Sequence, residues 1–432
     1  MKKIKIVKFI ITGAFIFFLA YTNKNRIPVP TELRTFDFIT SNGVDINLNS
    51  GENDNGSDYA NLLSQSDSKS SKNFSISYIS TAELSEESNK SNENKNVLNV
   101  KSATLNGAVR QLQSLTNKSL NDSHLEYILI GEKTAEENLG YFVRHYSKSP
   151  SIHFGVNVFV TKGMTSEEFM EKILTSEIDA DARINGLLND KTQISSTTKI
   201  NIKDLLQIFY TKDKTGLIPA LEVVESPIKS ENKSNDKQNN SDNSTNSDKK
   251  YTFGFYGLGI IKDGKLTDYL ENSLVRSYII LTKNLKATDI EITDENGDLS
   301  TFPVKNSSNK ISFKFGGENP NEPVKVIFNI DIDTNFDETA AAEQILTDEN
   351  IPKLNALQEK VIKSEIEKII EKSRNTGADF LNLGGTFAFQ HPYKWHVIEK
   401  DWDNIFKNLD YEINVSTNIK RYYNINSYDE EI

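Results

Sequence analysis

The sequence predicts an α+β protein of more than one domain. Mixed and antiparallel sheets pack with helices, and a long helix lies on a sheet near the C-terminus. Three observations carry this expectation. Leu354, Leu357, Val361, Ile362, Ile366, Ile369 and Ile370 recur at three- and four-residue spacing, which puts them on one face of a helix. Phe74–Ile79, Val324–Ile332 and Tyr411–Ile419 alternate apolar and polar residues, the period of half-buried strands. Between these regions, Lys229–Lys250 contains no aromatic or aliphatic side chain. Such a stretch has nothing apolar to bury and reads as a flexible linker.

Taken in order, the chain opens with Lys2, Lys3, Lys5 and Lys8 ahead of an uncharged run from Phe9 to Tyr21. This pattern is that of an export signal or anchor, expected over 1–24. Helical residues from Phe9 to Tyr21 would span about 20 Å, against a hydrocarbon core of roughly 30 Å. Counted from Ile4, with Lys5 and Lys8 snorkelling, the run becomes a marginal spanning helix. The flanking lysines place the body on the outer side of the cytoplasmic membrane.

An N-terminal α+β region is expected over 31–225. Asn49–Asn73 and Glu83–Lys95 read as polar insertions. Thr104–Thr116 fits a helix through Leu105, Val109, Leu112 and Leu115. His124–Glu132 reads as a buried strand running into a turn, and Phe154–Val160 as another strand. Thr165–Leu174 reads as a capped helix. A polar linker follows at 226–250.

The C-terminal domain is expected over 251–432. Asp263-Gly264 and Glu295-Asn296-Gly297-Asp298 mark hairpin turns. The long helix starts behind Asn350-Ile351-Pro352 and stops at Gly377. No internal repeat is visible.

Composition narrows function. The net charge of −11 argues against nucleic acid, whose phosphates call for clustered Lys and Arg. The chain has no cysteine, which excludes disulfides, thiolate catalysis, Cys-based metal sites and a thioether-linked lipid.

The motif search is mostly negative: no G-x-S-x-G, P-loop or H-E-x-x-H occurs. Gly254, Gly257 and Gly259 are spaced G-x-x-G-x-G, which is not the dinucleotide fingerprint, and they read as small residues beside a close backbone. Asp331, Asp333 and Asp337 resemble the start of a calcium loop. However, Phe336 stands where the sharp turn needs Gly, and Ala342 where a bidentate Glu belongs. Of the five histidines only His391 and His396 are near neighbours, and no metal or cofactor is expected. Glu136-Glu137 and Glu167-Glu168 are the carboxylate pairs a hydrolase would need, though pairs are common in so acidic a chain. Trp395 and Trp402 read as anchors of the long helix on the C-terminal sheet, with a sugar-stacking platform as the other use.

The order of pieces is more specific than any single motif. A long amphipathic helix is followed by Ala378-Asp379-Phe380-Leu381-Asn382-Leu383-Gly384, then Trp395, then Asp401-Trp402-Asp403-Asn404-Ile405-Phe406 and an alternating strand. This closely resembles the end of the Ger(x)C family, the C subunits of bacterial spore germinant receptors. The strand from His124 to Glu132 resembles an earlier strand of the family, Leu33–Asp45 resembles its opening strand and the turn at Gly43-Val44-Asp45, and Leu217–Val223 resembles its Pro-containing strand. The family's lipobox cysteine is absent, since Leu19-Ala20-Tyr21-Thr22 stands in its place.

The resemblance implies a non-enzymatic, membrane-attached subunit working with integral-membrane A and B subunits in nutrient-triggered germination. It further implies three mixed α/β domains, so that 31–225 would hold two, and nutrient binding in the membrane partners. Trp395, Asp401, Trp402 and His124 are the residues expected to serve structure or a partner surface. Two other classes stay open at this point. An extracytoplasmic solute- or wall-binding protein needs a cleft lined by polar groups. A cell-wall hydrolase needs two carboxylates across a groove.

Overall fold

The computed structural model describes residues 36–47, 73–80, 96–116, 119–175, 180–189, 197–211, 214–226, 251–282, 288–293, 297–336, 338–339, 347 and 349–421. The expected anchor at 1–24, the segment Glu83–Lys95, Asn49–Lys72 and residues 227–250 lie outside them.

The first half is built on one mixed sheet of eight strands. Its members are β2 (Ser41–Asn47), β3 (Asn73–Ser80), β4 (Asn96–Ser102), β6 (Tyr127–Gly131), β7 (Asn157–Thr161), β8 (Gly216–Glu225), β9 (Tyr251–Lys262) and β10 (Lys265–Glu271). The order is β10-β9-β8-β7-β6-β2-β3-β4. The four central strands β8, β7, β6 and β2 run parallel, with antiparallel pairs on both flanks. Short β1 (Phe36–Phe38) pairs with β5 (Ser119–Asn121) beside this sheet.

Central parallel strands are covered on both faces and lose the simple alternation of a half-buried strand. β6 shows this, with all five residues buried. Ile128 and Ile130 face a core formed with α1 (Leu105–Thr116), α2 (Glu132–Lys148) and, beyond Asn201, α5 (Ile202–Tyr210). Tyr127 and Leu129 face the opposite core, under α3 (Ser166–Thr175) and α4 (Ala180–Asn189).

The second half carries α6 (Asn272–Thr282) and a five-stranded sheet of β11 (Asp289–Thr293), β12 (Leu299–Phe315), β13 (Pro323–Asn335), β14 (Glu338–Thr339) and β15 (Asp410–Arg421). β12 and β13 form a long antiparallel ribbon, and β15 runs parallel to β13. On this sheet lies α7 (Ile351–Thr376), with Leu354, Ile362, Ile366, Ile369 and Ile370 buried. It ends at Gly377, left-handed at φ +63, whose N–H returns to Ser373 and Arg374, the helix stop expected of glycine. α8 (Leu383–Gln390), α9 (Pro392–Ile398) and α10 (Trp402–Asn408) lead into β15.

Strands on the two sides of 226–250 are neighbours. β8 pairs antiparallel with β9, from Glu225 opposite Tyr251 to Gly216 opposite Ile261. Residues 251–271, expected with the C-terminal domain, therefore complete the first sheet. The polar stretch joins two adjacent strands. Ile218, Ala220, Ile261 and Leu266 pack into the α2 core, whereas Leu217, Leu258, Ile260 and Leu270 pack into the core under α7. One end of the sheet thus serves both halves.

Several local expectations hold. Asp263 and Gly264 form the β9–β10 turn with φ +53 and +76, both left-handed as a two-residue hairpin demands. β11 and β12 pair as a hairpin around Gly297. Gly257 lies at a bulge with φ +146, where an added Cβ would meet the Leu270 carbonyl oxygen at 2.2 Å. Ile330 and Ile332 are buried and Asp331 faces outward, so the calcium-loop resemblance is a strand.

Others are corrected. Gly43-Val44-Asp45 is not a turn, because all three residues pair within β2. Glu132 opens a helix of 17 residues, α2, rather than a turn. Phe154 is exposed ahead of β7, which begins at Asn157. Leu115 is exposed too, so the buried face of α1 runs through Leu105, Ala108 and Leu112.

Candidate functional site

The segment Ala378–Gly384 follows α7 and turns the chain into α8. Ser373 Oγ donates to the Ala378 carbonyl at 2.5 Å. Asp379 then accepts from the backbone N–H of Leu383 at 2.8 Å and of Gly384 at 2.7 Å. Its carboxylate satisfies first-turn donors that the helix itself leaves unpaired, and it suits the positive end of the helix. Asn382 stands at φ +55, a conformation that Asn tolerates better than most side chains.

The same carboxylate accepts from Trp402 Nε1 at 3.1 Å. Trp402 is only 6% exposed, stacked on Phe387 at 5.8 Å and meeting Trp395 edge-on at 5.3 Å. A Cβ on Gly384 would lie 2.6 Å from Trp402 Nε1, so the indole rests on the backbone of α8. Asp379, Gly384 and Trp402 therefore form one anchor, in which a helix cap and an indole share a carboxylate.

Trp395 is half-buried at the edge of this cluster. Beyond it, Phe389 at 88% and Tyr393 at 91% point outward. Lys394 Nζ lies 3.5 Å from the Phe315 ring centre and donates to the Pro320 carbonyl at 2.5 Å. Burial and the nearby Lys394 charge hold the His391 imidazole below its ordinary range. Asp401 is exposed, starts α10 through its carbonyl, and accepts from Asn404 Nδ2 at 3.1 Å.

His124 lies apart from these three residues. It ends the 3-10 turn Asp122–His124 before β6. It lines an open groove of about 420 Å3 with His153, Glu126, Asn157 and Asn185. There Asn185 Nδ2 donates to Glu126 at 2.5 Å, and His153 Nδ1 accepts from Gly155 at 3.0 Å. Among the described residues no cluster of three His, Cys, Asp or Glu is placed to hold a metal. Of the carboxylate pairs, Glu168 is engaged in a capping box with Thr165 at 3.1 Å each way.

Two polar clusters escaped the sequence reading. Asp45, buried on β2, accepts from the Ser166 N–H at 2.9 Å, from Ser166 Oγ at 2.6 Å and from the Glu167 N–H at 3.3 Å. Burial pushes its carboxyl above the ordinary range although these hydrogen bonds oppose it. Gly131 leaves room for it, since a Cβ there would sit 1.9 Å from Asp45 Oδ1.

Next to it, Glu132 accepts from Tyr269 OH at 2.6 Å, Lys162 Nζ at 3.1 Å and the Gly163 N–H at 3.1 Å. Burial alone would raise Glu132. The Tyr269 and Lys162 hydrogen bonds and the Lys162 charge outweigh it and hold the carboxyl below its usual range. Lys162 also lies 4.2 Å from the centre of the Tyr269 ring. This cluster ties β10 to the start of α2 and to the turn after β7. The visible signal was the Gly43-Val44-Asp45 and Ile130-Gly131-Glu132 pair of segments, which carried the resemblance without revealing that they meet.

Comparison with known proteins agrees with the fold. The family described as "Spore germination protein N-terminal domain" matches residues 30–223, and "Spore germination B3/ GerAC like, C-terminal" matches residues 256–423. Spore germination protein B3 of Bacillus subtilis (strain 168) is 20% identical over 320 residues, covering 71% of this chain and 77% of that protein. The crystal structure of the GerBC protein superposes with a TM-score of 0.50 at 16% identity, over 88% of this chain and 97% of that one. Among the described residues no helix is long and apolar enough to cross a membrane. With both halves matched in order, the chain belongs to the Ger(x)C family of spore germination proteins.

Proposed function

We propose that this chain is the C subunit of a spore germinant receptor, a non-catalytic component acting with A- and B-type membrane subunits when nutrients appear. It works on the outer face of the spore inner membrane. The observation that supports this most is the match of both family segments in order along one chain. The residues that carry the resemblance, Asp45, Glu132, Asp379 and Trp402, bind the protein's own elements. They act as scaffold, in keeping with a subunit that positions partners rather than transforming a substrate. The sheet end shared by two cores also weighs against a hinged two-lobed solute-binding protein. With no cysteine to acylate, attachment falls to residues 4–21, helped by lysines worth about 1 kcal/mol each at an anionic surface.

The test is purification of the tagged full chain from spore membranes. A- and B-type subunits are expected to co-purify. Recovery of the chain alone, with unaltered nutrient germination in spores lacking it, would overturn the reading. The full chain is further expected to stay with membranes through high-salt washing, while a chain starting at Thr31 is released.

A further inference from the structure

The net charge of −11 is unevenly spread. From Asn94 to Asn121, and again from Asn138 to Ser166, the chain has no Asp or Glu. These segments meet at one end of the first sheet, where β2, β6 and β7 begin. There β1 pairs with β5 just ahead of β2 and β6, α1 runs out into β5, and α2 runs out into the segment before β7. Arg110 on α1 and Arg144 and Lys148 on α2 are exposed. Among the described residues none of the three is in an ion pair. Asn106, one helical turn before Arg110, and Lys148 line the same cavity, so the cations of the two helices share one side. Leu115, in the last turn of α1, is 69% exposed, and Phe154, ahead of β7, is 48% exposed. Of the carboxylates at this end, Glu126 accepts from Asn185, Asp204 accepts from the Asn201 N–H, and Asp122 is half-buried.

Two arguments say what lies against this end. The first is the tether. The chain reaches β1 from the anchor proposed at residues 4–21, and the residues between Tyr21 and Phe36 span at most about 50 Å. The end beside β1 is therefore the part of the body held nearest the bilayer. The second is charge. An anionic leaflet repels an acidic body and attracts lysine and arginine close to its surface. Unpaired cations beside exposed apolar side chains are the pattern of a surface that lies in the lipid interface. Because the tether raises the effective concentration of this end at the bilayer, contacts too weak to bind a free body suffice.

We propose that this end of the first sheet rests on an anionic phospholipid surface. Arg110, Arg144 and Lys148 lie among the headgroup phosphates, and Leu115 and Phe154 enter the interface. The inference rests on the membrane attachment proposed above and adds to it an orientation of the body. The contact is electrostatic and is screened by salt, so it holds the body in place without replacing the anchor.

The chain has no cysteine, so Leu115→Cys gives a single labelling site on an exposed side chain. The full chain, carrying a fluorophore at position 115, is reconstituted in vesicles of phosphatidylglycerol and phosphatidylcholine, part of the latter bearing a headgroup nitroxide. Quenching at position 115 is expected. A label introduced by Leu299→Cys, 46% exposed on β12 in the second half, should stay bright. Vesicles of phosphatidylcholine alone should leave both labels bright. Arg110→Gln, Arg144→Gln and Lys148→Gln together should lower the docked-to-free ratio roughly a hundredfold, at about fivefold for each cation lost from an anionic surface. All three side chains are exposed, and circular dichroism should match the parent. Absence of quenching at position 115 overturns the proposal and assigns this face to a protein contact. Equal quenching on neutral vesicles, in the triple variant or at position 299 overturns it too. Sedimentation with the vesicles reads the anchor separately, and co-purification from spores reads the subunit assignment, so either can stand when the docking fails.

Discussion

Replacing Trp402 by alanine tests the anchor at the end of the long helix. The indole is 6% exposed, contacts Phe387 and Trp395, and donates to Asp379 at 3.1 Å. Truncating a buried tryptophan costs about 3–5 kcal/mol. A hydrogen bond to a charged acceptor contributes roughly 1.5–3 kcal/mol where its loss leaves the acceptor unpaired. Asp379 keeps its two backbone donors, so no carboxylate is left bare, and the cost should come mainly from the emptied ring volume.

Trp402→Phe separates the two contributions, because it keeps most of the ring and removes the N–H. Urea denaturation of the full chain, followed by tryptophan emission, is the assay. The chain has 2 tryptophans, so in Trp402→Ala all indole emission comes from Trp395. That emission should move to the red as its partner ring disappears. The expected order of midpoints is parent, Trp402→Phe, Trp402→Ala. An unchanged midpoint in the alanine variant would refute the anchor and make the pair a ligand platform. Equal losses in both variants would refute the weight given to the ring.

Three further outcomes follow from named contacts. Deleting Asn232–Asp248 should leave both cores folded. It cuts the β8–β9 connection to about a third of its length, which lowers loop-closure entropy by about 1 kcal/mol; a fall in melting temperature would contradict this. Gly257→Ala should destabilise by at least about 1–3 kcal/mol, since φ is +146 and the new Cβ meets the Leu270 carbonyl. A neutral result in calorimetry would sink the argument. Glu132 has a folded-state pKa below its ordinary value, so its contribution is present above about pH 4.3 and is lost as pH falls through the folded value. Glu132→Gln should therefore narrow its gap to the parent in acid, and a gap independent of pH would count against the Lys162 pairing.

What could be read from sequence was local. α7 was legible because one helix carries its whole signal: a proline near the start, an apolar stripe and a glycine stop. β15 was legible because Ile413, Thr417 and Ile419 go inward while Asn414, Ser416 and Asn418 face solvent. The helix α2 was missed although Ala135, Leu139, Phe142, Val143 and Tyr146 have helical spacing, because the preceding buried strand drew attention to a turn at Gly131. The amphipathic α5 was missed in the same way, and its Asn201–Asp204 capping box was a usable cue. The burial of Trp402 was legible, since large aromatics near a helix end tend to be buried. Its partner Asp379 was not, because the pairing spans 23 positions of chain and depends on how three helices turn.

The β8–β9 pairing shows why a boundary in composition need not be a boundary in structure. Residues 229–250 lack apolar side chains, and the two family segments stop at 223 and resume at 256, so every one-dimensional signal divides the chain there. A linker needs only to let its ends reach their places, and here the ends are directly opposite across one ladder. The physical transition comes later, where β10 ends at Glu271 and α6 crosses into the second core. Leu217, Leu258, Ile260 and Leu270 are buried in that second core while their sheet belongs to the first. Shifting the two halves against each other would expose those residues, at about 25 cal/mol for each Å2 uncovered. The sheet end is thus a shared junction, in which packed side chains join the α7 core to the first sheet.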